Sequence, residues 1–312
     1  MAVLRLNADG SIQQVKGSPF PYDSEGIAIA GKYVIAGNYY SIAGYAVDPA
    51  TGALTKTSSD VQGGQVAANN EFVYAGNDNA IYAYQLVNGA LQPISGEPFA
   101  VETGQICGCA MPAYGSLRVV QGYLFYGDNA DHAGFSAYAS KIQSDGSLVP
   151  HRIDAGNGGA GSVAVAPNGK FVYDIDSSAY ALKLSDCDAS TGTSQYVGLT
   201  TSPESGVIDP SSTFLFTLAA SGMGIDTYHI NPQDGTLTKI FTVAQEYQTS
   251  PQAVDPGGKY LLSLDQPTAS TYAIGVWSID VSSGELTRVG SFALGSYSDS
   301  FQPDGVVVGV FQ

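Results

Sequence analysis

Basic residues are scarce in this sequence. Only 12 Lys and Arg stand against 28 Asp and Glu, which gives a formal net charge of −16. A nucleic-acid-binding surface needs a basic stripe that neutralises phosphates. The composition therefore excludes nucleic acid as an expected partner. The acidity fits either a cationic partner or simple solubility, and we favour solubility.

Cysteine is equally scarce, with three residues in 312. Cys107 and Cys109 are two apart in a predicted loop, whereas Cys187 lies in an insertion on the opposite face of the predicted fold. A bond from Cys187 to either of the others is geometrically disfavoured, while Cys107 and Cys109 could bond to each other or stay reduced. Zinc takes about four ligands, and only two are visible here. We therefore predict no cofactor.

Long apolar runs are missing as well. No stretch approaches the roughly 20 apolar residues that a membrane-spanning helix needs. We recognise no signal peptide before the first predicted strand, although a targeting segment could have been removed. We expect no membrane span. The low Lys content and the many Gly, Ser, Thr and Tyr residues favour an extracytoplasmic location, periplasmic or secreted, over a cytoplasmic one.

A turn that contains glycine recurs along the chain, and no segment shows the spacing of apolar residues that is typical of a helix. Successive turn glycines are 42, 37, 57, 46, 43 and 49 residues apart, and the wrap from the last through the C-terminus to the first adds 38. A four-stranded propeller blade spans about 40 to 50 residues. Seven copies therefore predict seven blades. The turns are Asp9-Gly10, Thr51-Gly52, Asn88-Gly89, Asp145-Gly146, Thr191-Gly192, Asp234-Gly235 and Ser283-Gly284.

The segment 62–99 shows one period without an insertion. Its strands, such as Phe72–Asn77 and Ala80–Val87, alternate apolar and polar residues. Ala80–Val87, the third strand of the blade, leads into the Asn88-Gly89 hairpin turn. We predict an all-β, seven-bladed β-propeller of four-stranded antiparallel blades. Residues 2–20 supply two strands that pair with 298–312 and close the ring, which removes exposed strand edges. No linker divides residues 1–312, so we predict one monomeric domain, with 100–116 and 185–193 as loops.

The blade motifs resemble a known family. Phe72-Val-Tyr-Ala-Gly-Asn77, Gly17-Ser-Pro-Phe20 and Thr51-Gly-Ala-Leu54 are similar to the lactonase family of seven-bladed propellers. That family includes 6-phosphogluconolactonase and carboxymuconate lactonising enzymes, and it is close to the surface-layer repeats named for a Tyr-Val-Thr-Asn motif. The resemblance covers essentially the whole chain and implies the fold, whereas activity depends on the site.

The family's catalytic positions are not matched. Where the family has a His at the start of a first strand, this chain has Gly161 or Ser162, and where it has an Arg one blade later, this chain has Glu204 or Ser205. The family's Glu near the end of a second strand is also missing, because those ends carry Asn or Asp. The four arginines, in or beside predicted strands, are interpreted as solvated strand positions: Arg5, Arg118, Arg152 and Arg288.

Three histidines remain as candidate catalysts. His151 and His229 lie in predicted strands and are interpreted as blade-surface residues. His132 follows Asp128 and Asp131 in a loop between a second and a third strand, on the face that surrounds the channel mouth. These three side chains could bind a divalent cation, or His132 could act as a base beside a carboxylate. An ordinary polar loop explains the same residues.

Other polar and aromatic residues are predicted on that face, where propellers bind ligands. They would suit hydrogen bonding to, and stacking on, a sugar-like molecule. We name as ligand-binding candidates Asp23, Glu25, Tyr39, Tyr40, Gln105, Glu204, Gln266 and Asp299.

Two functions follow from the sequence. The first is a non-catalytic propeller that binds a small polar ligand or a protein partner. The second is a lactone hydrolase or cycloisomerase with a rearranged site. The unmatched His, Arg and Glu favour the first, and a convergence of His, Arg and carboxylate in the channel mouth would favour the second.

Overall fold

A computed structural model gives the architecture of the chain. The residues that it describes form 28 strands. They include no helix long and apolar enough to cross a membrane. The three cysteines and most of both predicted insertions lie outside the described residues. The structure describes residues 1–21, 26–38, 40–77, 80–100, 117–127, 137–153, 162–175, 179–183, 195–196, 206–219, 221–296 and 306–309.

The strands form an N-terminal hairpin and six sheets, which we number along the chain. The N-terminal hairpin is β1 (Leu4–Leu6) and β2 (Ile12–Gln14). Sheet one is β3 (Gly26–Ala30), β4 (Tyr33–Gly37), β5 (Ser41–Val47), β6 (Leu54–Lys56) and the short β7 (Val61–Gln62). Sheet two is β8 (Gln65–Ala68), β9 (Phe72–Asn77), β10 (Ala80–Val87), β11 (Ala90–Pro93) and the short β12 (Phe99–Ala100).

The other four sheets have four strands each. Sheet three is β13 (Arg118–Val120), β14 (Tyr123–Gly127), β15 (Ala137–Ile142) and β16 (Leu148–Ile153). Sheet four is β17 (Ser162–Val165), β18 (Phe171–Ile175), β19 (Ala179–Lys183) and β20 (Gln195–Tyr196). Sheet five is β21 (Gly206–Ile208), β22 (Phe214–Leu218), β23 (Gly224–Ile230) and β24 (Leu237–Ala244). Sheet six is β25 (Gln248–Val254), β26 (Tyr260–Thr268), β27 (Thr271–Ile279) and β28 (Leu286–Ser296).

Every strand pair is antiparallel, and four successive strands of each sheet follow chain order. This confirms the predicted all-β propeller of four-stranded antiparallel blades. The described residues do not contain seven complete blades, because the N-terminal hairpin has two strands and 306–309 are in no strand. Within residues 2–20 we predict the second strand over 12–20, but it ends at Gln14. A turn in which Ser18 N donates to Val15 O, followed by Pro19, interrupts it.

The recurring glycines explain how neighbouring sheets dock. Each described turn glycine has a positive φ, which residues with a Cβ rarely adopt. At five of them a Cβ would lie only 2.5 to 3.0 Å from a ring of the preceding sheet, well inside van der Waals contact. We call this packing the glycine clamp. Its pairs are Gly10 on Tyr260, Gly89 on Tyr33, Gly146 on Phe72, Gly235 on Phe171 and Gly284 on Phe214.

Hydrogen bonds reinforce the clamp at three junctions. Tyr74 Oη donates to Gly146 O at 3.0 Å, and Tyr173 Oη donates to Gly235 O at 3.1 Å. Burial raises the pKa of both phenols, so they remain protonated donors. Tyr260 Oη makes a related bond to Ala8 O, at 2.8 Å. Sheet-to-sheet contact is therefore fixed by backbone geometry as well as by apolar packing.

The N-terminal hairpin occupies the place between sheet six and sheet one. Its Leu4, Leu6 and Ile12 pack on the apolar face of sheet six that carries Tyr260 and Leu262. On the other side, a Cβ at Gly52 of sheet one would lie 2.7 Å from the side chain of Val15. Ala8 and Tyr260, about 250 residues apart in sequence, therefore meet in space.

The first prediction separates the clamp from its backbone conformation. Gly146 and Gly122 both have φ of +82°, but a Cβ at Gly146 meets Phe72, whereas one at Gly122 meets nothing within 4 Å. We expect Gly122→Ala to lower the free energy of unfolding by about 1 kcal/mol through φ alone. Gly146→Ala should lose a further ~1–3 kcal/mol through overpacking. Urea unfolding measures both, and equal losses would contradict the clamp.

The second prediction concerns three turn aspartates, Asp9, Asp145 and Asp280. The Ser hydroxyl two positions later donates to each carboxylate at 2.6 or 2.7 Å, and this bond holds the pKa of each below its ordinary value of 3.8. Because the folded pKa is the lower one, the carboxylates stabilise the fold above the ordinary value. That stability is lost as the pH falls through the lowered pKa.

Asparagine keeps the turn acceptor but does not titrate. The triple variant Asp9→Asn, Asp145→Asn, Asp280→Asn should therefore lose less free energy of unfolding between about pH 5 and pH 2 than the parent chain. Urea unfolding at several pH values checks this expectation, and parallel pH curves for the two chains would refute it.

Candidate functional site

Few of the predicted site residues lie in the described part of the chain. Tyr40 and Gln266 do, and they belong to sheets one and six. The proposed grouping of all these side chains therefore stays a prediction. Outside the described residues lie Asp23, Glu25, Tyr39, Gln105, Asp128, Asp131, His132, Glu204 and Asp299.

Tyr40 sits in the loop between β4 and β5. Its side chain is 73% exposed. Asn38 Oδ1 accepts hydrogen bonds from Tyr40 N at 2.9 Å and Ser41 N at 3.0 Å. Gly63 N donates to Tyr40 O at 3.2 Å. The backbone that presents this ring is therefore fixed on both sides.

The same contacts identify the face on which Tyr40 lies. Strand β7, which leaves sheet one, pairs with the start of β5, so that Gln62 stands opposite Ser41. In sheet two, Ala100 stands likewise opposite Ala80. Loops between second and third strands therefore share a face with the connections between sheets, as the sequence predicts. We call this the loop face, and the opposite one, which carries the glycine turns, the turn face.

Gln266 lies near the end of β26, the second strand of sheet six. Its Nε2 donates to Tyr272 Oη at 3.0 Å and to Ala269 O at 3.2 Å. These bonds hold the amide against its own sheet, near the loop that joins β26 to β27. Gln266 is thus a fixed polar group at the loop-face end of sheet six.

Two of the three histidines lie in the described part of the chain. His151 lies in β16 and His229 in β23. The His229 ring is half-buried and meets Phe214 edge-on, with ring centroids 6.2 Å apart. The predicted strand positions of both histidines are confirmed, and His229 packs as part of a blade.

Arg288 is different, and its interpretation as a solvated strand position is wrong. Its Nη2 donates to Asp265 Oδ2 at 2.7 Å, and the Asp265 side chain is fully buried. Its guanidinium carbon lies 5.1 Å from the centre of the Trp277 ring. Ser263 Oγ donates to Asp265 Oδ1 at 2.7 Å and accepts from Trp277 Nε1 at 2.9 Å. These four residues form one network, the sheet-six cluster.

Burial raises the pKa of the Asp265 carboxyl above its ordinary range, while the bonds from Ser263 and Arg288 oppose that rise. The arginine is required because a buried carboxylate without a cation would be strongly destabilised. Gly275 leaves the space, since a Cβ there would lie 2.7 Å from Asp265 Oδ2. The side chain of Arg288 can therefore cross the sheet to reach the carboxylate.

Sheet five carries a second version of this arrangement, the sheet-five cluster. Lys239 Nζ lies 2.8 Å from Oδ2 of Asp226, another fully buried carboxylate. Thr242 Oγ1 donates to Asp226 Oδ1 at 2.7 Å. Here the acid comes from the third strand of the sheet, whereas in sheet six it comes from the second.

A repeat comparison could have found these cations. Lys239 and Arg288 occupy the same place in the repeat, in Leu237-Thr-Lys239 and Leu286-Thr-Arg288 after the glycine turn. Lys56 occupies it in sheet one, but pairs there with the exposed Asp60 at 2.7 Å. A cation at this position lies on the outer strand of its sheet. Its side chain turns inward where a buried carboxylate is available, as in sheets five and six.

The chemistry of both clusters is structural. Their carboxylates are closed off from solvent between sheets, and neither includes a His. Within the described ranges no three His, Cys, Asp or Glu side chains are grouped closely enough to hold a metal ion. The described residues therefore contain two ion pairs whose carboxylates are buried, and a loop face with one prominent aromatic side chain.

Comparison with known proteins supports the same fold. No protein-family model matches the sequence, and no curated protein sequence matches it. Solved structures do match. A putative 6-phosphogluconolactonase from Bacteroides fragilis has a TM-score of 0.74 at 16% identity, covering 95% of this chain and 91% of its own. The fold that the two proteins share is a β-propeller.

Two further structures agree. A putative 6-phosphogluconolactonase from Bacteroides uniformis has a TM-score of 0.73 at 19% identity, with 95% of this chain and 92% of that chain covered. The periplasmic gluconolactonase of Pseudomonas aeruginosa has a TM-score of 0.70 at 17% identity, with 96% and 93% covered. At such identities the likeness establishes the propeller alone.

The third prediction tests the sheet-six cluster. Asp265→Asn leaves Arg288 without its anion and should lower the free energy of unfolding by about 3 kcal/mol. Adding Arg288→Met should restore part of the loss, because both charges are then gone. Asp60→Asn, in the exposed Lys56–Asp60 pair, is the control and should cost less than about 1 kcal/mol. Additive losses in the double variant would show that Asp265 and Arg288 do not interact.

Proposed function

We propose that this chain is a binding propeller that takes a small polar, sugar-like ligand at its loop face. The observation that carries the proposal is Tyr40, a large aromatic ring 73% exposed on a backbone held by Asn38 and Gly63. A rigidly presented Tyr offers stacking area and a hydroxyl at little entropic cost. Asp23, Glu25, Tyr39, Gln105, Glu204, Gln266 and Asp299 are the proposed polar partners around it.

Lactone hydrolysis is the second candidate. The similarity to proteins described as 6-phosphogluconolactonases and a gluconolactonase favours it. Such an enzyme needs a general acid or base and a cation near the developing oxyanion. In the described arginine–carboxylate pair, Asp265 is fully buried and already bound to the partly exposed Arg288, so this carboxylate is out of reach of a lactone. Hydrolysis would therefore depend on other residues, with His132, Asp128 and Asp131 as our candidates.

The propeller that we propose has seven blades in one domain. The N-terminal hairpin would be the outer half of the seventh blade, and residues 298–312 would supply its inner strands. Packing supports this arrangement: Val306 and Val308 contact the same face of sheet six as Leu4 and Leu6. A Cβ at Gly309 would lie 2.5 Å from Ile29 of sheet one, which places this segment between the two sheets.

The fourth prediction tests binding with gluconate, a polyhydroxy acid that cannot be hydrolysed further. Isothermal calorimetry should detect binding, and Tyr40→Ala should weaken it about tenfold, the equivalent of one aromatic contact. Val281→Ala is the control, because Val281 is 74% exposed in the turn between β27 and β28, on the turn face.

The same protein then meets gluconolactone in a pH-stat. Turnover well above the rate with heat-denatured protein would establish the second candidate and overturn the non-catalytic proposal. Equal affinities of the parent chain and Tyr40→Ala would remove Tyr40 from the site. Failure of gluconate to bind would exclude this ligand class.

A further inference from the structure

The sheet-five and sheet-six clusters are built from equivalent positions but are completed differently. Thr217 and Ser263 both lie three residues after the first aromatic residue of the second strand. Tyr228 and Trp277 stand opposite the two cations, Lys239 and Arg288. In the sheet-six cluster, Ser263 bonds directly to both Asp265 and Trp277. In the sheet-five cluster the hydroxyl of Thr217 has no such bond.

Thr217 is fully buried, and its Oγ1 has no hydrogen-bond partner among the residues that the structure describes. A buried hydroxyl without a partner destabilises a fold by about 1–3 kcal/mol. Asp226 stands directly opposite Thr217 in the neighbouring strand. Side chains at such positions have Cβ atoms about 4.5–5.5 Å apart. No direct hydrogen bond joins the two side chains, although both atoms are buried, so a third group is needed to bond the Thr217 hydroxyl.

Asp226 also has unused hydrogen-bonding capacity. Its Oδ1 accepts from Thr242, but its Oδ2 is buried and receives no hydrogen bond, although Lys239 Nζ lies 2.8 Å away. The ammonium group pairs with Oδ2 as an ion, and Oδ2 keeps a lone pair that can accept from a second donor. An atom that can bond a hydroxyl is needed at Thr217.

We propose that an internal water molecule binds between Thr217 Oγ1 and Asp226 Oδ2, in the seam between sheets four and five. Water can donate to the carboxylate and either donate to or accept from the hydroxyl, and buried waters typically satisfy polar groups of this kind. A metal ion is disfavoured by the adjacent Lys239 ammonium, and an anion is disfavoured by Asp226. The water takes the place of the direct hydroxyl–carboxylate bond of the sheet-six cluster.

The acid's strand of origin explains the difference. In sheet six Asp265 is two residues beyond Ser263 on the same strand, and their side chains touch. In sheet five the carboxylate is that of Asp226, on the neighbouring strand. It still pairs with the equivalent cation, Lys239, but makes no direct bond to the hydroxyl of Thr217 on the second strand. A bound water restores the network without any change in the sheet.

A crystal structure at about 1.5 Å resolution tests the proposal directly. We expect a solvent peak 2.7 to 3.0 Å from both Thr217 Oγ1 and Asp226 Oδ2, the usual range for such bonds. Thr217→Ser should retain the peak, since it retains the hydroxyl. An empty seam in the parent structure would overturn the proposal.

Thermal unfolding gives an independent readout with a matched control. Thr217→Val should lower Tm by roughly 2–4 °C, the shift expected for about 1 kcal/mol. Thr227 is also fully buried, without a hydrogen-bond partner at Oγ1, but its register partners are Phe216 and Phe241 rather than an acid. Thr227→Val should leave Tm unchanged or raise it. A Thr217→Val chain as stable as Thr227→Val would contradict the water site.

Discussion

The packing of a turn glycine on an aromatic ring of the preceding sheet is the contact on which the rest of the molecule depends. The turn that ends a third strand must curl tightly, and only a residue with positive φ and no Cβ can both make the turn and lie against the ring. Gly146 on Phe72 and Gly284 on Phe214 set the distance between successive sheets. Because the same contact joins Gly10 to Tyr260, it also brings the N-terminal hairpin against sheet six.

That constraint leaves the two faces of the disc with different duties. The turn face is committed to docking, through the glycines and the tyrosine hydroxyls that bind them. The loop face carries Tyr40 on a backbone fixed by side-chain and main-chain bonds. A scaffold whose sheets are locked on one face can vary its loops on the other, which is where we propose that the ligand binds.

Much of the fold could be predicted from the sequence because the repeat is local. Period-two alternation identified Phe72–Asn77 and Ala80–Val87 to the residue, and the turn glycines gave the register between blades. The inward turn of Arg288 could not be predicted in the same way. It depends on Asp265 from another strand and on the missing Cβ of Gly275, which meet only in three dimensions.

Loop-face residues such as Asp23, His132 and Asp299 remain predictions for a related reason. Loops lack the periodicity that positions a strand residue, and their side chains are placed by contacts that sequence spacing does not encode. Tyr40 is the informative exception. The Asn two residues earlier is a recognisable turn former, and its side chain does hold the loop.

At Gly10 the glycine clamp holds the N-terminal hairpin against sheet six, across most of the length of the chain. Trp277 is the only tryptophan and lies buried in sheet six, so its fluorescence reports the unfolding of that sheet. Urea unfolding of Gly10→Ala followed by Trp277 fluorescence tests the claim. The account predicts a lower midpoint, although residue 10 is far from Trp277 in sequence. If the Gly10→Ala chain had a displaced N-terminal hairpin but the same urea midpoint as the parent chain, the clamp would not support sheet six.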